Sequence, residues 1–413
     1  MILTKSQLFI EKEEQYGAHN YHPLPVVLDR AEGVFVYDVD GKKYYDFLSA
    51  YSAVNQGHCH PRIINALIEQ SKKLTLTSRA FYNSQLGDYE EFLTKLFGFD
   101  KILPMNTGAE GVETAIKICR KWGYEKKGIP ADQAEIIVCK GNFHGRTTTI
   151  SSFSSNPNAR NNFGPFTPGF KMINYNDLEE LKNALKQNEN IAGLLIEPIQ
   201  GEAGVNVPSD GYLSKAKSLC EKYNVLFIAD EIQTGIARTG KMLAIDHEDI
   251  KADILILGKA ISGGVYPVSA VLANNEIMEV IKPGQHGSTF GGNPLACAVA
   301  KEALQVILDE DLAENASKMG EIFRARMNDL VQTESILKGV RGKGLLNAIV
   351  INCSQDSTLA WDICLQLKEN GLLAKPTHGN KIRFAPPLVM TESQLEDCVE
   401  IIKRTLKSFS NEK

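Results

Sequence analysis

The chain has 413 residues, a formal net charge of −5 and an apolar fraction of 43%, which predicts a soluble globular protein of two domains or one large one. No basic block marks a nucleic-acid or membrane surface, and no apolar run approaches the length of a membrane span. The eight cysteines (Cys59, Cys119, Cys139, Cys220, Cys297, Cys353, Cys364, Cys398) are scattered without a C-x-x-C pair, which points to reduced thiols in a cytosol-like compartment.

From the start of the chain, Met1 to Gln15 carries Glu11, Glu13 and Glu14 and has no long apolar stretch. It fits neither a signal peptide nor an acid-poor transit peptide, and the expected location is the cytoplasm. Val34 to Asp38, Asp40-Gly41 and Lys43 to Phe47 read as a β-hairpin turning at Asp-Gly. His58-Cys59-His60-Pro61 is the only tight histidine cluster, but alternate residues on a turn seldom converge on one ion, so a structural turn and no metal site are expected. Asn106-Thr107-Gly108-Ala109-Glu110 then carries a capping-box pattern that opens a helix running toward Trp122. Its free first-turn N–H groups suit a phosphate.

Through the middle of the chain, short β-branched apolar runs alternate with helical spacing. Ile136 to Cys139, Ala192 to Ile196, Val225 to Ala229, Ile254 to Leu257 and Val268 to Leu272 read as strands; Asp177 to Gln187 and Tyr212 to Tyr223 read as helices. This alternation predicts a three-layer α/β domain with a mostly parallel sheet over residues 50–300. Helical patterns at Cys297 to Leu308 and Leu312 to Leu330, then strands at Leu345 to Ile351 and Lys381 to Phe384, no longer alternate. They suggest a smaller α+β domain over residues 301–413, joined by the N-terminal segment 1–49.

Two strand ends carry chemistry. Val225 to Ala229 runs into Asp230-Glu231, and Ile254 to Leu257 runs into Gly258-Lys259. In open parallel sheets the ligand crevice lies outside the carboxyl ends of the strands, so Asp230 and Lys259 would share it. Pyridoxal phosphate needs this pair, a lysine for its Schiff base and a carboxylate against its pyridinium nitrogen. The same acidic strand could serve an ATPase, since Gly235 to Met242 comes within one residue of a P-loop. That alternative fails because Met242 stands where a hydroxyl must meet magnesium. Gly141-Asn142-Phe143-His144-Gly145-Arg146 follows another strand end, where an aromatic can stack on a planar ring and an arginine can clamp a carboxylate. Gln233 falls near Asp230, and Gly287 to Asn293 is a small-residue loop with the hydroxyls of Ser288 and Thr289.

Longer motifs carry a resemblance. They are Tyr-Gly-Ala-His-Asn-Tyr-His-Pro-Leu-Pro (16–25), Tyr-Ser-Ala-Val-Asn-Gln-Gly-His-Cys-His-Pro (51–61) and Glu-Pro-Ile-Gln-Gly-Glu-Ala-Gly-Val (197–205), followed by Ala-Asp-Glu-Ile-Gln-Thr-Gly (229–235), Leu-Gly-Lys-Ala-Ile-Ser-Gly-Gly (257–264) and Val-Arg-Gly-Lys-Gly-Leu-Leu-Asn-Ala (340–348). From Tyr16 to about Phe409 the chain resembles the ornithine aminotransferases, a class-III branch of the fold-type I pyridoxal-phosphate enzymes. The resemblance implies that Lys259 is the Schiff-base lysine and proton carrier, that Asp230 holds the pyridinium proton, that Gln233 meets the ring hydroxyl and that Phe143 stacks on the ring. It implies that Gly108 and Ala109 bind the phosphate, with Ser288 and Thr289 completing the cup across a homodimer interface. Tyr21, Tyr51 and Arg146 would line the substrate site, and Glu202 and Arg383 would form a switchable pair. His144, where relatives often carry Trp, is expected to alter ring packing but not chemistry. The implied reaction moves the δ-amino group of L-ornithine to 2-oxoglutarate. An acetylornithine or 4-aminobutyrate aminotransferase is the neighbouring alternative, and a non-catalytic scaffold on the same fold the more distant one.

Overall fold

The computed structural model describes residues 4–410, so the outermost three residues of the first and last expected units lie outside the described residues. Among the described residues, fifteen strands form three sheets. The N-terminal strands β1 (Leu28–Glu32), β2 (Phe35–Asp38) and β3 (Lys43–Asp46) make an antiparallel meander, and the expected turn carries Gly41 at φ +87°. The large sheet comprises β4 (Lys101–Met105), β5 (Glu135–Cys139), β6 (Phe170–Ile173), β7 (Ile191–Ile196), β8 (Leu226–Asp230), β9 (Ile254–Leu257) and β10 (Ser269–Ala273). The third sheet holds β11 (Leu337–Lys343), β12 (Leu346–Ile351), β14 (Lys375–Thr377) and β15 (Lys381–Phe384), while β13 (Leu372–Leu373) pairs in parallel with β3.

The large sheet runs β4-β10-β9-β8-β7-β5-β6. Strands β5 to β9 are mutually parallel, and β10 is antiparallel to both β9 and β4. The mostly parallel α/β fold is thus as the alternating runs predict. All residues of β7, β8, β9 and β10 are buried, the condition that makes such strands continuously apolar rather than alternating. Ile136, Val138, Ile228 and Ile256 face one core with helix Gly108–Trp122, whereas Ile137, Cys139, Phe227 and Leu257 face the other. The sheet is therefore covered on both faces, giving three layers.

The five strands read from the sequence are found within one residue of their expected ends, and the two edge strands β4 and β6 were not foreseen. In β4, Pro104 interrupts the run Lys-Ile-Leu-Pro-Met and cannot donate to a ladder, which a sheet tolerates at its edge. Edge strand β6 is mostly half-buried and carries Lys171, so it lacks the apolar continuity of the central strands.

The C-terminal elements close over the end of the large sheet. Phe384 lies edge-on to Phe47 and to Phe323, with ring centroids 5.7 and 5.6 Å apart, and the Ala385 N–H donates to the Phe47 carbonyl at 2.8 Å. Arg238, fully buried in the former P-loop candidate, donates to the carbonyls of Leu345 (2.9 Å) and Pro386 (2.6 Å) and to Asn55 Oδ1 (2.6 Å). That segment is a buried tie to Asn55, Leu345 and Pro386, not a phosphate loop.

Candidate active site

Five segments deliver side chains to one place because each follows a strand of the large sheet. Helix Gly108–Trp122 follows β4, Phe143 and His144 follow β5, Glu197 follows β7, Asp230 ends β8, and Lys259 follows β9. Together with Gln233 and Glu202 they line a cavity of about 200 Å³.

The capping box at Thr107 is formed as its sequence predicts. Thr107 Oγ1 accepts the Glu110 N–H at 3.2 Å, and Glu110 Oε2 accepts the Thr107 N–H at 2.7 Å. The cap uses the Glu110 donor and leaves Gly108 and Ala109, whose N–H groups have no intrahelical partner, on the cavity wall. A Cβ at Gly108 would come 3.0 Å from the end of the Ile232 side chain, which would have to give way by a few tenths of an ångström. The helix end is thus a ready anion site.

Of the two adjacent acids, Asp230 faces the cavity and Glu231 faces away. Asp230 Oδ1 accepts the Ile232 N–H at 3.1 Å, and Oδ2 lies 2.6 Å from His144 Nδ1. Glu231 accepts the Ile245 N–H at 2.9 Å, and burial pushes its carboxyl up to about 7. Lys259 opens a short 3-10 turn at φ +45°, a left-handed conformation that aims the chain into the crevice. Burial holds its amine below the usual lysine range, although Glu202 and Asp230 work against that shift. Such an amine carries a larger neutral, nucleophilic fraction at pH 7.

Glu202 and Arg383 are paired at 2.6 Å, with Gln233 Nε2 donating to the same Glu202 oxygen at 2.9 Å. Burial would raise the Glu202 carboxyl, but Arg383, Lys259 and Gln233 outweigh it and hold it low. The Arg383 guanidinium sits 5.0 Å from the Tyr51 ring centroid. Arg146 lies 5.8 Å from the Phe143 ring and 5.9 Å from the Tyr21 ring, and Tyr21 itself is exposed. Ser288 accepts from Asn106 Nδ2 at 2.9 Å, whereas Thr289 is exposed and reaches no part of this cavity.

Three features escaped the sequence. Glu197 lies in the cavity wall and accepts the Phe143 N–H at 2.9 Å; burial first, and the Asp230 charge second, hold its carboxyl well above the usual range. Its signal was the carboxyl end of β7, the same rule that found Asp230. His144, expected to affect only packing, instead meets the Asp230 carboxylate. Tyr51 is carried on the left-handed run Ser49–Ser52, whose φ values lie between +46° and +69°. Asp46 anchors that run by accepting the Leu48 and Ser49 N–H groups at 2.8 and 2.9 Å. His58 and His60 diverge, bonding Asp46 at 2.7 Å and Glu310 at 2.9 Å.

These groups fit pyridoxal phosphate. The helix end offers donors to a phosphate, Asp230 keeps lone pairs for a ring N–H, and Lys259 offers an amine. Gln233 Oε1 is buried without a partner and can accept from a ring hydroxyl.

The chain is similar to proteins of known class. Over 406 residues the chain is 61% identical to the mitochondrial ornithine aminotransferase of Drosophila melanogaster, covering 98% of this chain and 93% of that one. A solved acetylornithine aminotransferase from Elizabethkingia anophelis is 63% identical, with a TM-score of 0.91 over 98% of this chain and 100% of the other. An ornithine aminotransferase from Toxoplasma gondii, described with partial occupancy of PLP at its active site, is 50% identical with a TM-score of 0.96, over 98% and 94% of the two chains. The class-III aminotransferase profile matches residues 16–406, and with Lys259 and Asp230 set at adjacent strand ends, the chain belongs to the class-III aminotransferases, enzymes that work with pyridoxal phosphate.

Proposed function

We propose that the protein transfers the δ-amino group of L-ornithine to 2-oxoglutarate or another 2-oxo acid. The products are glutamate 5-semialdehyde, which closes to pyrroline-5-carboxylate, and glutamate. The observation that carries this reading is the Glu202–Arg383 pair at 2.6 Å, whose Glu202 lines the cavity of Lys259. An α-amino acid or oxo acid presents its carboxylate beside the reacting carbon, where a free arginine fork would take it bidentately. A terminal amine presents only methylenes there, and an arginine already neutralised by Glu202 suits that end. The ornithine carboxylate then falls to Arg146 and Tyr21, at the far side of Phe143.

Pyridoxal phosphate, when bound, supplies an aldehyde carbon and a ring that withdraws electrons from the carbon bearing the nitrogen. Gly108 and Ala109 N–H groups would hold its phosphate, Phe143 would cover its ring, and Gln233 would meet its hydroxyl. Asp230 keeps the proton on the ring nitrogen. Lys259 Nζ, favoured as a free amine by burial, would take the proton from the δ-carbon as general base and then act as the general acid. In the second half-reaction Glu202 swings aside and Arg383 binds the α-carboxylate of the oxo acid.

N-acetylornithine is the second reading, favoured by the name of the Elizabethkingia relative; the Drosophila and Toxoplasma names favour ornithine. Initial rates with ornithine, N-acetylornithine and 4-aminobutyrate, with 2-oxoglutarate as acceptor, separate them. Ornithine should exceed the others by at least about tenfold in kcat/KM, a difference of ~1.4 kcal/mol in transition-state binding, and a reversed order would replace this proposal.

The same reading makes the protein a homodimer. Thr289 is exposed beside exposed Phe290, and the segment whose Arg79 approaches Gly292 carries exposed Phe81 and Tyr82. A second copy laid on this surface would bring Thr289 to the other subunit's phosphate site. The divisions 1–49, 50–300 and 301–413 are proposed as its units. Among the described residues no helix is long and apolar enough to cross a membrane. We place the protein in the cytoplasm on the strength of its eight unpaired cysteines, and cell fractionation tests this against the mitochondrial naming of the fly relative. The reaction would link breakdown of arginine, which yields ornithine, to formation of proline from the cyclic product.

A further inference from the structure

We propose that His144 is a positioning residue for Asp230, its Nδ1–H fixing the carboxylate that faces the cofactor's ring nitrogen. The inference rests on the role given to Asp230 above. Asp230 ends a strand, and its own backbone leaves both side-chain torsions open. Two donors close them: the Ile232 N–H on Oδ1 at 3.1 Å and the His144 imidazole on Oδ2 at 2.6 Å. With one donor on each oxygen the carboxylate plane is set, and the remaining lone pairs are turned to the cavity. A bond of this length between an N–H and a carboxylate is charge-assisted and about twice as strong as a neutral one.

The imidazole has little freedom of its own. Its side chain is fully buried, its ring is tilted against Phe153 at a centroid distance of 6.0 Å, and its Nε2 has no partner. A buried polar atom without a partner is unfavourable, so packing alone would favour an apolar ring here. The bond to Asp230 accounts for a histidine instead. The preceding residue is held as well, because Glu197 Oε2 takes the Phe143 N–H at 2.9 Å. The two-residue step Phe143-His144 thus reaches the cavity with its backbone pinned to β7 and its second side chain pinned to β8.

The test is equilibrium binding of pyridoxal phosphate to the cofactor-stripped full-length protein, followed by quenching of intrinsic fluorescence. His144→Phe and His144→Leu should weaken binding about tenfold, the loss of one charge-assisted bond. His144→Asn keeps a donor where Nδ1 stood and should stay within about threefold of wild type, which a purely steric role would not allow. In an Asp230→Asn background, His144→Phe should change affinity by less than about twofold, because the two residues act through one bond. If neither apolar variant folds, His144→Gln, whose amide reaches the Nε2 position instead, takes their place with the same expected loss. An unchanged affinity in the Phe, Leu or Gln variant, or a full loss that persists in the Asp230→Asn background, overturns the inference. Wild-type protein that binds no pyridoxal phosphate defeats the functional reading first, and this inference with it.

Discussion

Lys259 and Asp230 stand at the carboxyl ends of neighbouring strands, and their chemistry follows from what surrounds each. Removing the Lys259 amine takes away the proton carrier and the only amine on the cavity wall, while the left-handed turn at its backbone is relieved of nothing. Lys259→Ala should therefore purify folded, with transamination reduced by at least about 10³-fold, the upper part of the general-base range. Borohydride treatment followed by intact-mass measurement checks the assignment. Wild-type protein should gain the mass of the reduced cofactor, and the variant should not; a labelled variant would place the bond on another lysine. Glu202 is the second test at this scale. Glu202→Ala leaves Arg383 uncompensated in a buried site, a costly arrangement that an incoming α-carboxylate relieves. Single-turnover rates should rise for glutamate and fall for ornithine, with some ornithine reacting through its α-amine. Equal losses on both half-reactions would identify a static ion pair. Both acid and lysine were legible because a buried apolar run points at each. Glu197 carries the same strand-end signal after Ile191–Ile196, whereas His144 does not, since a histidine after a phenylalanine carries no pattern until burial is known.

At the scale of elements, the helix Gly108–Trp122 does two jobs through one cap. Thr107 and Glu110 satisfy each other's backbone donors, which fixes where the first turn begins and so where the Gly108 and Ala109 N–H groups point. Thr107→Ala should lower stability by about 1 kcal/mol, as loss of a side-chain cap does, and should weaken pyridoxal phosphate more than pyridoxal. Urea unfolding and the ratio of the two affinities check both halves, and an unchanged ratio would separate the cap from the phosphate site. The capping box was legible because its four-residue spacing is local. Strand β4, which precedes it, was not, because Pro104 breaks the run and only pairing with β10 makes it a strand. The left-handed run Ser49–Ser52 was equally hidden. Non-glycine residues avoid that conformation by roughly 1–2 kcal/mol each, and its anchor, Asp46, lies in a different element.

For the whole molecule, the cavity is built by the segments that follow the strands of the large sheet, and the flanking parts of the chain bring Arg383 and Tyr51 up to its Glu202. Tyr51 comes from the N-terminal side and Arg383 from β15, and Arg383 meets Glu202 only because the C-terminal sheet folds back over the loop after β7. The alternation of runs made the parallel sheet legible, but the return of the C-terminus depends on long-range contacts such as Phe384 with Phe47. Thr289 and Phe290 are exposed, as are Phe81 and Tyr82. Co-refolding Lys259→Ala with a Thr289→Ala variant should restore activity, since one site per heterodimer would have both residues intact. Sedimentation should show a dimer, and an active monomer would contradict the shared site.

The central claim is that the amine leaves from the δ-carbon of ornithine and ends on glutamate. Incubating the protein and pyridoxal phosphate with 2-oxoglutarate and ornithine carrying ¹⁵N at one nitrogen tests it directly. With the label at the δ-nitrogen, the glutamate formed should carry ¹⁵N; with the label at the α-nitrogen, the label should remain in the cyclic product. Glutamate labelled from the α-nitrogen, or no labelled glutamate from either, would contradict the account.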